Sequence, residues 1–267
     1  PERGSVTVVA NGDNAVVSWI DNNEEHEAWI VYYKPLSAEE WLTSAASEQT
    51  HTLTGLTPET TYQLYVMTDC GTEDNTEQTY TVQFTTTAIP ITLPYFQNFE
   101  DTTAVSEISL WNSDGFNKWA IGNATGYIPQ GSSETTGGAM YISNDNGQTY
   151  GYINTIWDIS VAGILVYFTP GYEYELSFDY KVGGEEDGDN LKLFVLEPGF
   201  PLDEYWNGQM LSSELYGVYN WAHFNYEIPE SWIGTTKQIL FCWHNDYSGG
   251  TQPAAIDNIR ISQSTCI

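Results

Sequence analysis

The sequence predicts an all-β protein in which a β-sandwich is followed by a larger jelly-roll β-sandwich. Short segments of alternating apolar and polar residues recur along the chain, as at residues 61–68 and 172–181. Turn residues separate these segments, and almost no segment has the 3.6-residue periodicity of a helix. Repeated short strands joined by turns are typical of β-sandwiches.

The composition indicates a folded and strongly acidic protein. The 267 residues include 36 Asp and Glu but only 7 Lys and Arg, for a formal net charge of −29. So few cations exclude nucleic acid as the main partner and argue against docking on anionic lipid. Aromatic residues make up 15% of the chain and need a core, which argues against disorder.

The composition also bears on location. No stretch approaches the roughly 18 apolar residues that span a bilayer, so we expect no direct membrane insertion. Strong acidity, few lysines and many Thr, Ser, Asn and Gly residues favour a secreted or cell-surface protein. The chain opens Pro-Glu-Arg without an initiator Met, which suggests a piece of a longer polypeptide.

The first part of the chain reads as a series of short strands. Alternation and turn signals predict strands at residues 5–9, 15–20, 28–34, 50–53, 61–68 and 79–86. Residues 35–47 read as a loop. These strands define a first domain over residues 1–88.

Two features of this domain resemble fibronectin type III domains. Trp19 is similar to the core Trp of that family, and Leu-Thr-Gly-Leu-Thr-Pro-Glu-Thr-Thr-Tyr at 53–62 resembles the loop that leads to its tyrosine corner. The resemblance implies that Tyr62 buries its ring while its hydroxyl satisfies a backbone group. The family's Arg-Gly-Asp integrin motif is absent, so that function is not implied.

Residues 89–94 read as a linker whose two prolines favour an extended path. A second strand-rich domain is predicted over residues 95–263. Its strands are expected at 172–181, 190–195, 237–243 and 254–261, and the apolar run at 161–168 fits a buried strand. About 170 residues of strand and long loop suggest a jelly roll.

Five motifs of the second domain occur in the order of a known family. They lie at residues 99–101, 140–145, 176–181 with 184–185, 243–249 and 253–259. Together they resemble the choice-of-anchor J or cleaved-adhesin jelly roll, which is related to MAM domains. The resemblance implies a secreted or surface protein of Bacteroidetes, with residues 264–267 starting a further segment.

The three cysteines have no metal-ligand spacing. Cys242 lies in an apolar strand and is expected to be a buried free thiol. The family resemblance implies that Cys70 and Cys266 lost partners in neighbouring repeats. A bridge between Cys70 and Cys266 is the alternative.

The carboxylates suggest a calcium site. The family resemblance implies a structural Ca²⁺ that ties the first strand to the last, with Glu100, Asp101 and Asp257 as ligands and Asn144 and Asp145 as neighbours. Calcium takes six to eight oxygen ligands, which such loops supply. The alternative is that Asp257 and Asn258 cap backbone groups in a turn. The oxygen-rich loop at 183–190 is a second candidate site.

Aromatic residues cluster between residues 205 and 232, where the sequence suggests a region between strands. Exposed Trp and Tyr rings stack on sugars. A sugar site would therefore use Tyr205, Trp206 and Asn207, together with Trp221. The alternative is that these rings belong to a core.

No catalytic motif is recognisable, so we predict a protein that is not an enzyme. The favoured function is a non-catalytic adhesion or binding segment, with a host or neighbouring-cell glycan or protein and the adjacent domains of the same chain as partners. A carbohydrate-binding appendage of a secreted hydrolase is the alternative, and a catalytic domain is a third hypothesis.

Overall fold

The computed structural model describes residues 1–69, 78–101, 105–113, 115–123 and 137–265. These residues form a chain of strands and two short 3₁₀ turns. The strands are β1 Thr7–Asn11, β2 Asn14–Ser18, β3 Trp29–Pro35, β4 Leu42–Ala46, β5 Thr50–Leu53, β6 Thr61–Thr68, β7 Val82–Thr85, β8 Tyr95–Gln97, β9 Ile108–Asn112, β10 Lys118–Gly122, β11 Ala139–Ser143, β12 Asp158–Tyr167, β13 Tyr172–Gly183, β14 Asn190–Leu196, β15 Gln209–Met210, β16 Val218–Glu227, β17 Thr236–Asn245 and β18 Gln252–Thr265.

Contacts divide the chain into two compact units, Pro1–Ile89 and Pro90–Ile267. The all-β class that the sequence predicts is confirmed. No helix within the described part of the chain is long and apolar enough to cross a membrane. Cys70 and Cys266, whose pairing the sequence left open, lie outside the described residues.

The first unit is a sandwich of two antiparallel sheets. One sheet has the order β1-β2-β5 and the other the order β4-β3-β6-β7. Their inner faces enclose a core that contains Trp19 and Trp29, whose ring centroids are 5.9 Å apart. The core position expected for Trp19 is therefore confirmed, although the residue lies just after β2.

The tyrosine corner is also present. The Tyr62 hydroxyl accepts a hydrogen bond from the backbone N–H of Thr57 at 2.9 Å, and the residue is buried. The ring fills the core while the hydroxyl ties down the loop before β6, as the resemblance implied.

The loop expected at residues 35–47 is wrong in part, because it contains β4. This strand pairs with β3 from Trp29–Ala46 to Tyr33–Leu42. It is an edge strand with three exposed residues among its five, so its side chains show no apolar alternation. The sequence therefore carries no strand signal there.

We expect Tyr62→Phe to lower the free energy of unfolding of the first unit by about 1 kcal/mol, because the Thr57 N–H loses its acceptor. Urea unfolding of the whole chain measures the change. Tyr80→Phe is the matched control, since Tyr80 is 63% exposed. Equal effects of the two substitutions would contradict a role for the corner hydrogen bond.

The second unit is a larger sandwich. A six-stranded sheet has the order β10-β11-β18-β13-β16, with β8 paired to β18, and a five-stranded sheet has the order β15-β14-β17-β12-β9. Successive strands from β11 to β14 alternate between the two sheets, as in a jelly roll. Phe178 of one sheet meets Phe241 of the other at a centroid distance of 5.3 Å in the core between them.

The apolar run around Cys242 predicts that this cysteine is buried in a strand, and it lies in β17 of the five-stranded sheet. Cys242 is a free, buried cysteine, as expected, and burial raises the pKa of its thiol. Its side chain belongs to a small apolar cluster with Leu240 on the outer side of this sheet. The thiol is therefore a packing group.

The region between strands expected at residues 205–232 is wrong in part. Residues 218–227 form β16, which pairs with β13 from Glu175–Glu227 to Tyr180–Ala222. Phe224 and Tyr226 pack against the main core, whereas Trp221 packs on the other side of the strand. Aromatic residues on both faces hide the alternation that marks a half-buried strand.

Candidate functional site: the outer face of the six-stranded sheet

The outer face of the six-stranded sheet carries side chains that the core does not use. Along β13, Phe178 packs into the core, whereas Asp179 and Lys181 alternate to the other side. Most other outer-face residues on the neighbouring strands are small or polar. The side chains of this face are therefore available for polar and aromatic interactions outside the main core.

One row of this face crosses five strands. The register places Ala120 opposite Tyr141, Tyr141 opposite Ala255, and Ala255 opposite Lys181. Trp221 on β16 completes the row, and it packs with Tyr141 and Ala255 in a cluster separate from the main core. The fold thus brings residues from distant parts of the chain into one line.

Lys181 lies between two aromatic rings. Its Nζ is 5.0 Å from the ring centroid of Tyr150 and 5.8 Å from that of Trp221, both within the range of cation–π attraction. Tyr150 also meets Tyr141 edge to face, with centroids 6.4 Å apart. We call Tyr141, Tyr150, Lys181 and Trp221 the aromatic–lysine band. Burial lowers the pKa of Lys181.

A row of polar groups lies beside this band. Asp179 is opposite His223 on one side and opposite Asp257 on the other. The Asp179 Oδ1 is 2.8 Å from His223 Nδ1, and its Oδ2 accepts a hydrogen bond from Asn258 Nδ2 at 2.9 Å. The face thus combines aromatic rings with fixed donors and acceptors.

Asp257 is the most perturbed carboxyl of this row. It is 2% exposed, and burial, followed by the nearby charges of Asp179 and Glu100, raises its pKa to about 7. The backbone N–H of Asn258 donates to Asp257 Oδ1 at 2.6 Å and opposes that shift. Asp257 therefore both caps a backbone group, as one reading of the sequence expected, and faces other carboxylates.

Of the residues in the calcium hypothesis, Glu100 lies near enough to Asp257 for its charge to raise the pKa of that carboxyl, and the charge of Asp179 acts in the same direction. Phe99 and Asn258, each next to one of the first two, have positive φ angles of 58° and 52°. Asp101 is exposed. Within the described ranges no group of three or more His, Cys, Asp or Glu side chains has the arrangement of a metal site.

Asn144 and Asp145 lie apart from these carboxylates. Tyr141 is opposite Ala255, so Asn144 continues β11 away from Asp257. The Asp145 carboxylate accepts hydrogen bonds from Ser143 Oγ at 2.7 Å and from the Thr149 N–H and hydroxyl at 2.9 and 2.7 Å. These hydrogen bonds, with those from Thr149 and Ser143 foremost, lower the pKa of Asp145 to about 2 and organise its own turn.

The structure also separates the predicted sugar-binding residues. Tyr205, Trp206 and Asn207 lie in the 3₁₀ turn Leu202–Asn207, where Tyr205 packs on the outer side of the five-stranded sheet. Trp221 lies on the outer side of the other sheet. These residues therefore cannot form one site.

Within that turn the two aromatic rings differ in exposure. Tyr205 meets Phe194 edge to face with centroids 5.5 Å apart, and burial raises its pKa. Trp206 is 62% exposed, and Asn207 Nδ2 donates to Glu204 Oε2 at 3.2 Å. The turn thus offers one exposed ring, whereas in the aromatic–lysine band Tyr141 is buried and Tyr150 and Trp221 are half-buried.

The loop at residues 183–190, the other candidate cation site, is organised by hydrogen bonds. Asp189 is buried and accepts from the Tyr152 hydroxyl and from the Asp246 N–H at 3.0 Å. Burial raises the pKa of Asp189, and the charges of Asp246 and Glu185 add to that effect. The loop thus gathers carboxylates around a hydrogen-bonded aspartate.

Comparison with protein families finds a match for the first unit. The family model described as fibronectin type III domain matches residues 1–85. No curated protein matches the chain in sequence.

Several solved structures resemble the chain loosely. The K1 cleaved adhesin domain of Lys-gingipain from Porphyromonas gingivalis W83 is 14% identical with a TM-score of 0.43, and the match covers 64% of this chain and 98% of that one. A structure of carbohydrate-binding modules of the β-sandwich superfamily is 13% identical with a TM-score of 0.40, covering 98% and 99%. A xylan-binding domain from Paenibacillus barcinonensis is 12% identical with a TM-score of 0.38, covering 65% and 95%. At this level of similarity no function is transferred.

Proposed function

We propose that the chain is a non-catalytic binding segment of a secreted or cell-surface protein, and that its larger unit binds a glycan on the outer face of the six-stranded sheet. The aromatic–lysine band beside the Asp179–His223 pair is the observation that carries this proposal. Aromatic rings pack on the CH faces of sugars, and adjacent charged and amide groups bind their hydroxyls. The choice-of-anchor J or cleaved-adhesin relationship remains part of this proposal.

A non-catalytic role is supported by the position of the acidic groups. Glycoside hydrolysis needs a protonated carboxyl and a carboxylate on either side of the substrate bond. Asp257 has the raised pKa of such an acid, but only 2% of it is exposed. A buried carboxyl of this kind is better suited to structure than to proton transfer to a bound sugar.

We also propose that calcium binds near Glu100, Asp179 and Asp257, with Asp101 close by in sequence. The Asp257 carboxyl is buried and lies near the charges of Asp179 and Glu100, and a cation would relieve the resulting repulsion. Calcium would supply a hard positive charge for these oxygens and tie the segment after β8 to the middle of β18. Asn144 and Asp145 are excluded from this set by their distance along β11.

The glycan proposal is tested by Trp221→Ala. We expect this change to weaken binding of a glycan-array ligand at least tenfold by isothermal titration, because a stacking ring is lost. Trp206→Ala is the matched control on the opposite sheet and should leave the affinity unchanged. Loss of binding in Trp206→Ala alone would instead support the Tyr205–Asn207 turn.

The same glycan array distinguishes an adhesion segment from a carbohydrate-binding appendage of a hydrolase. Ligands confined to host or neighbouring-cell glycans would favour an adhesion segment. Ligands confined to polymeric plant or microbial polysaccharides would favour the carbohydrate-binding appendage of a secreted hydrolase. Absence of binding across the array would overturn the glycan proposal for both.

A further inference from the structure

Strand β16 forms an edge of the six-stranded sheet. It has ten residues, whereas the strands at the other sheet ends of the larger unit, β9, β10 and β15, have five, five and two. Among the described residues β16 pairs with no strand other than β13. The side of β16 that faces away from β13 is therefore open to a further strand.

The hydrogen bonds to β13 show which residues of β16 point their backbone groups to this open side. The Ile228 N–H donates to the carbonyl of Tyr174, which the register places directly opposite, at 3.0 Å. Hydrogen-bonded and non-bonded pairs alternate along an antiparallel ladder, so Tyr226 and Phe224 also bond to β13. The residues whose N–H and C=O groups point to the open side are His223, Asn225 and Glu227.

This edge lacks the features by which proteins usually block the addition of a strand. Protected edges are short, are bent by bulges, or carry Lys or Pro. Strand β16 contains neither Lys nor Pro, and its register with β13 is regular from Glu227 to Ala222. An open and regular edge of this kind can pair with an extended peptide segment.

A groove of about 890 Å³ lies beside the edge, and Glu227 belongs to both. The charged residues that line the groove are all acidic: Glu173, Glu175, Glu227 and Glu230. All four are exposed, and within the described ranges none of them forms an ion pair. Glu175 and Glu227 are directly opposite each other, an arrangement of like charges that destabilises a sheet. Positive charges from a bound molecule would relieve this repulsion.

We propose that β16 binds an extended segment of a partner protein, which adds a strand to the sheet and places basic side chains beside the groove. Residues opposite each other in a ladder share a face, so side chains opposite Asn225 and Glu227 would lie next to these carboxylates. Side chains at the intervening positions would lie beside Phe224 and Tyr226, which pack against the core. The partner segment therefore alternates basic and apolar residues. This inference does not depend on the glycan proposal.

A second copy of this chain is a poorer match for the edge. With 36 Asp and Glu against 7 Lys and Arg, two copies repel each other. Strand β16 itself carries no Lys or Arg, so a pair of β16 strands would bring two acidic grooves together. The charge beside the edge thus favours a different, basic partner.

The probe is a blocked peptide of alternating lysine and valine, added to the whole chain. Isothermal titration gives its affinity, and hydrogen exchange followed by NMR reports on single amides. We expect saturable binding that protects the amides of His223, Asn225 and Glu227, because these gain an acceptor, and leaves those of Phe224 and Tyr226 unchanged. A peptide of the same composition in scrambled order, and one with glutamate in place of lysine, should each bind at least about tenfold more weakly.

Variants of the edge test the backbone and the charges separately. Asn225→Pro should weaken binding at least about tenfold, because it removes an N–H on the open side and keeps the bonds to β13. If this variant fails to fold, a peptide N-methylated at alternate residues tests the same bonds and should not bind. Glu227→Gln should weaken binding about threefold, whereas Asp203→Asn on the opposite sheet changes the net charge equally and should have no effect.

Three results would overturn the proposal. Equal binding of the scrambled peptide, or protection that does not alternate along β16, would show only general attraction to an acidic chain. Unchanged affinity for the N-methylated peptide would exclude strand addition. Protection of the same three amides that rises with the concentration of the chain alone would replace the basic partner with a second copy.

Discussion

Replacing Asp158 with alanine is expected to destabilise the larger unit by about 3–5 kcal/mol, because several buried donors lose their acceptor at once. Asp158 is fully buried at the start of β12. Its carboxylate accepts hydrogen bonds from the Ser113 hydroxyl, from the Asn117 N–H at 2.9 Å and from the Ile159 N–H at 2.9 Å. Water cannot easily replace an acceptor at this depth.

Asp158 is part of a larger network that joins three segments of the chain. Asn117 Nδ2 donates to the carbonyl of Ile153 and to Asn245 Oδ1, both at 3.0 Å. Asn245 Oδ1 also accepts from Trp243 Nε1 at 3.1 Å. The network therefore fixes the loops before β10 and β12 against the end of β17.

Calorimetry and urea unfolding of the whole chain measure the effect of Asp158→Ala. Asp203→Ala is the matched control, because Asp203 lies in the partly exposed 3₁₀ turn on the outer side of the five-stranded sheet. The double variant Asp158→Ala, Asn117→Ala should be less destabilised than the sum of the single variants, since both disrupt one network. A loss below about 1 kcal/mol in Asp158→Ala would contradict this account.

The sequence predicts well those features that depend on local pattern. The strand at residues 172–181 alternates along its whole length, and the structure continues it to Gly183 as β13. The tyrosine corner is encoded in a short stretch that ends at Tyr62, so the hydrogen bond to Thr57 could be expected. Cys242 is surrounded by apolar residues in the sequence, and this alone predicts its burial.

The sequence predicts poorly those features that depend on the pairing of distant strands. Asp179 and Lys181 look like ordinary outward residues of β13, and nothing local indicates that Asp257 and Trp221 lie beside them. A register that joins β11, β18, β13 and β16 creates this face. For the same reason the sequence predicts one site for Trp221 and Tyr205, which are close in sequence but lie on opposite sheets.

Calcium is expected to raise the unfolding temperature of the larger unit, most strongly above pH 7. The pKa of Asp257 is about 7 in the folded chain, against 3.8 for an ordinary Asp, so without a cation the folded state binds the proton more tightly. In chelator, the stability that protonated Asp257 contributes is therefore fully present below pH 4. It is lost as the pH rises through 7. At about 1.4 kcal/mol per pKa unit, the loss reaches about 4 kcal/mol.

Asp257→Asn distinguishes destabilisation by the buried charge from the role of that charge as a calcium ligand. In chelator at pH 8 the variant should unfold at a higher temperature than the unmodified chain, because the buried charge is gone. With calcium it should show no further increase, because a charged ligand is missing. Asp145→Asn is the matched control and should keep the full response to calcium, since Asp145 belongs to the turn at Ser143–Thr149.

Hydrogen exchange of the amides in β13 and β18 assigns the response to the larger unit. The charges of Asp179 and Glu100 raise the pKa of Asp257. Asp179→Asn or Glu100→Gln should therefore lower the pKa of Asp257, and the unfolding temperature in chelator should then depend less on pH. If calcium stabilised Asp257→Asn and the unmodified chain equally, the cation would bind elsewhere. The carboxylates gathered around Asp189 would then be the next place to look, because burial and the nearby Asp246 and Glu185 raise the pKa of that residue in the same direction.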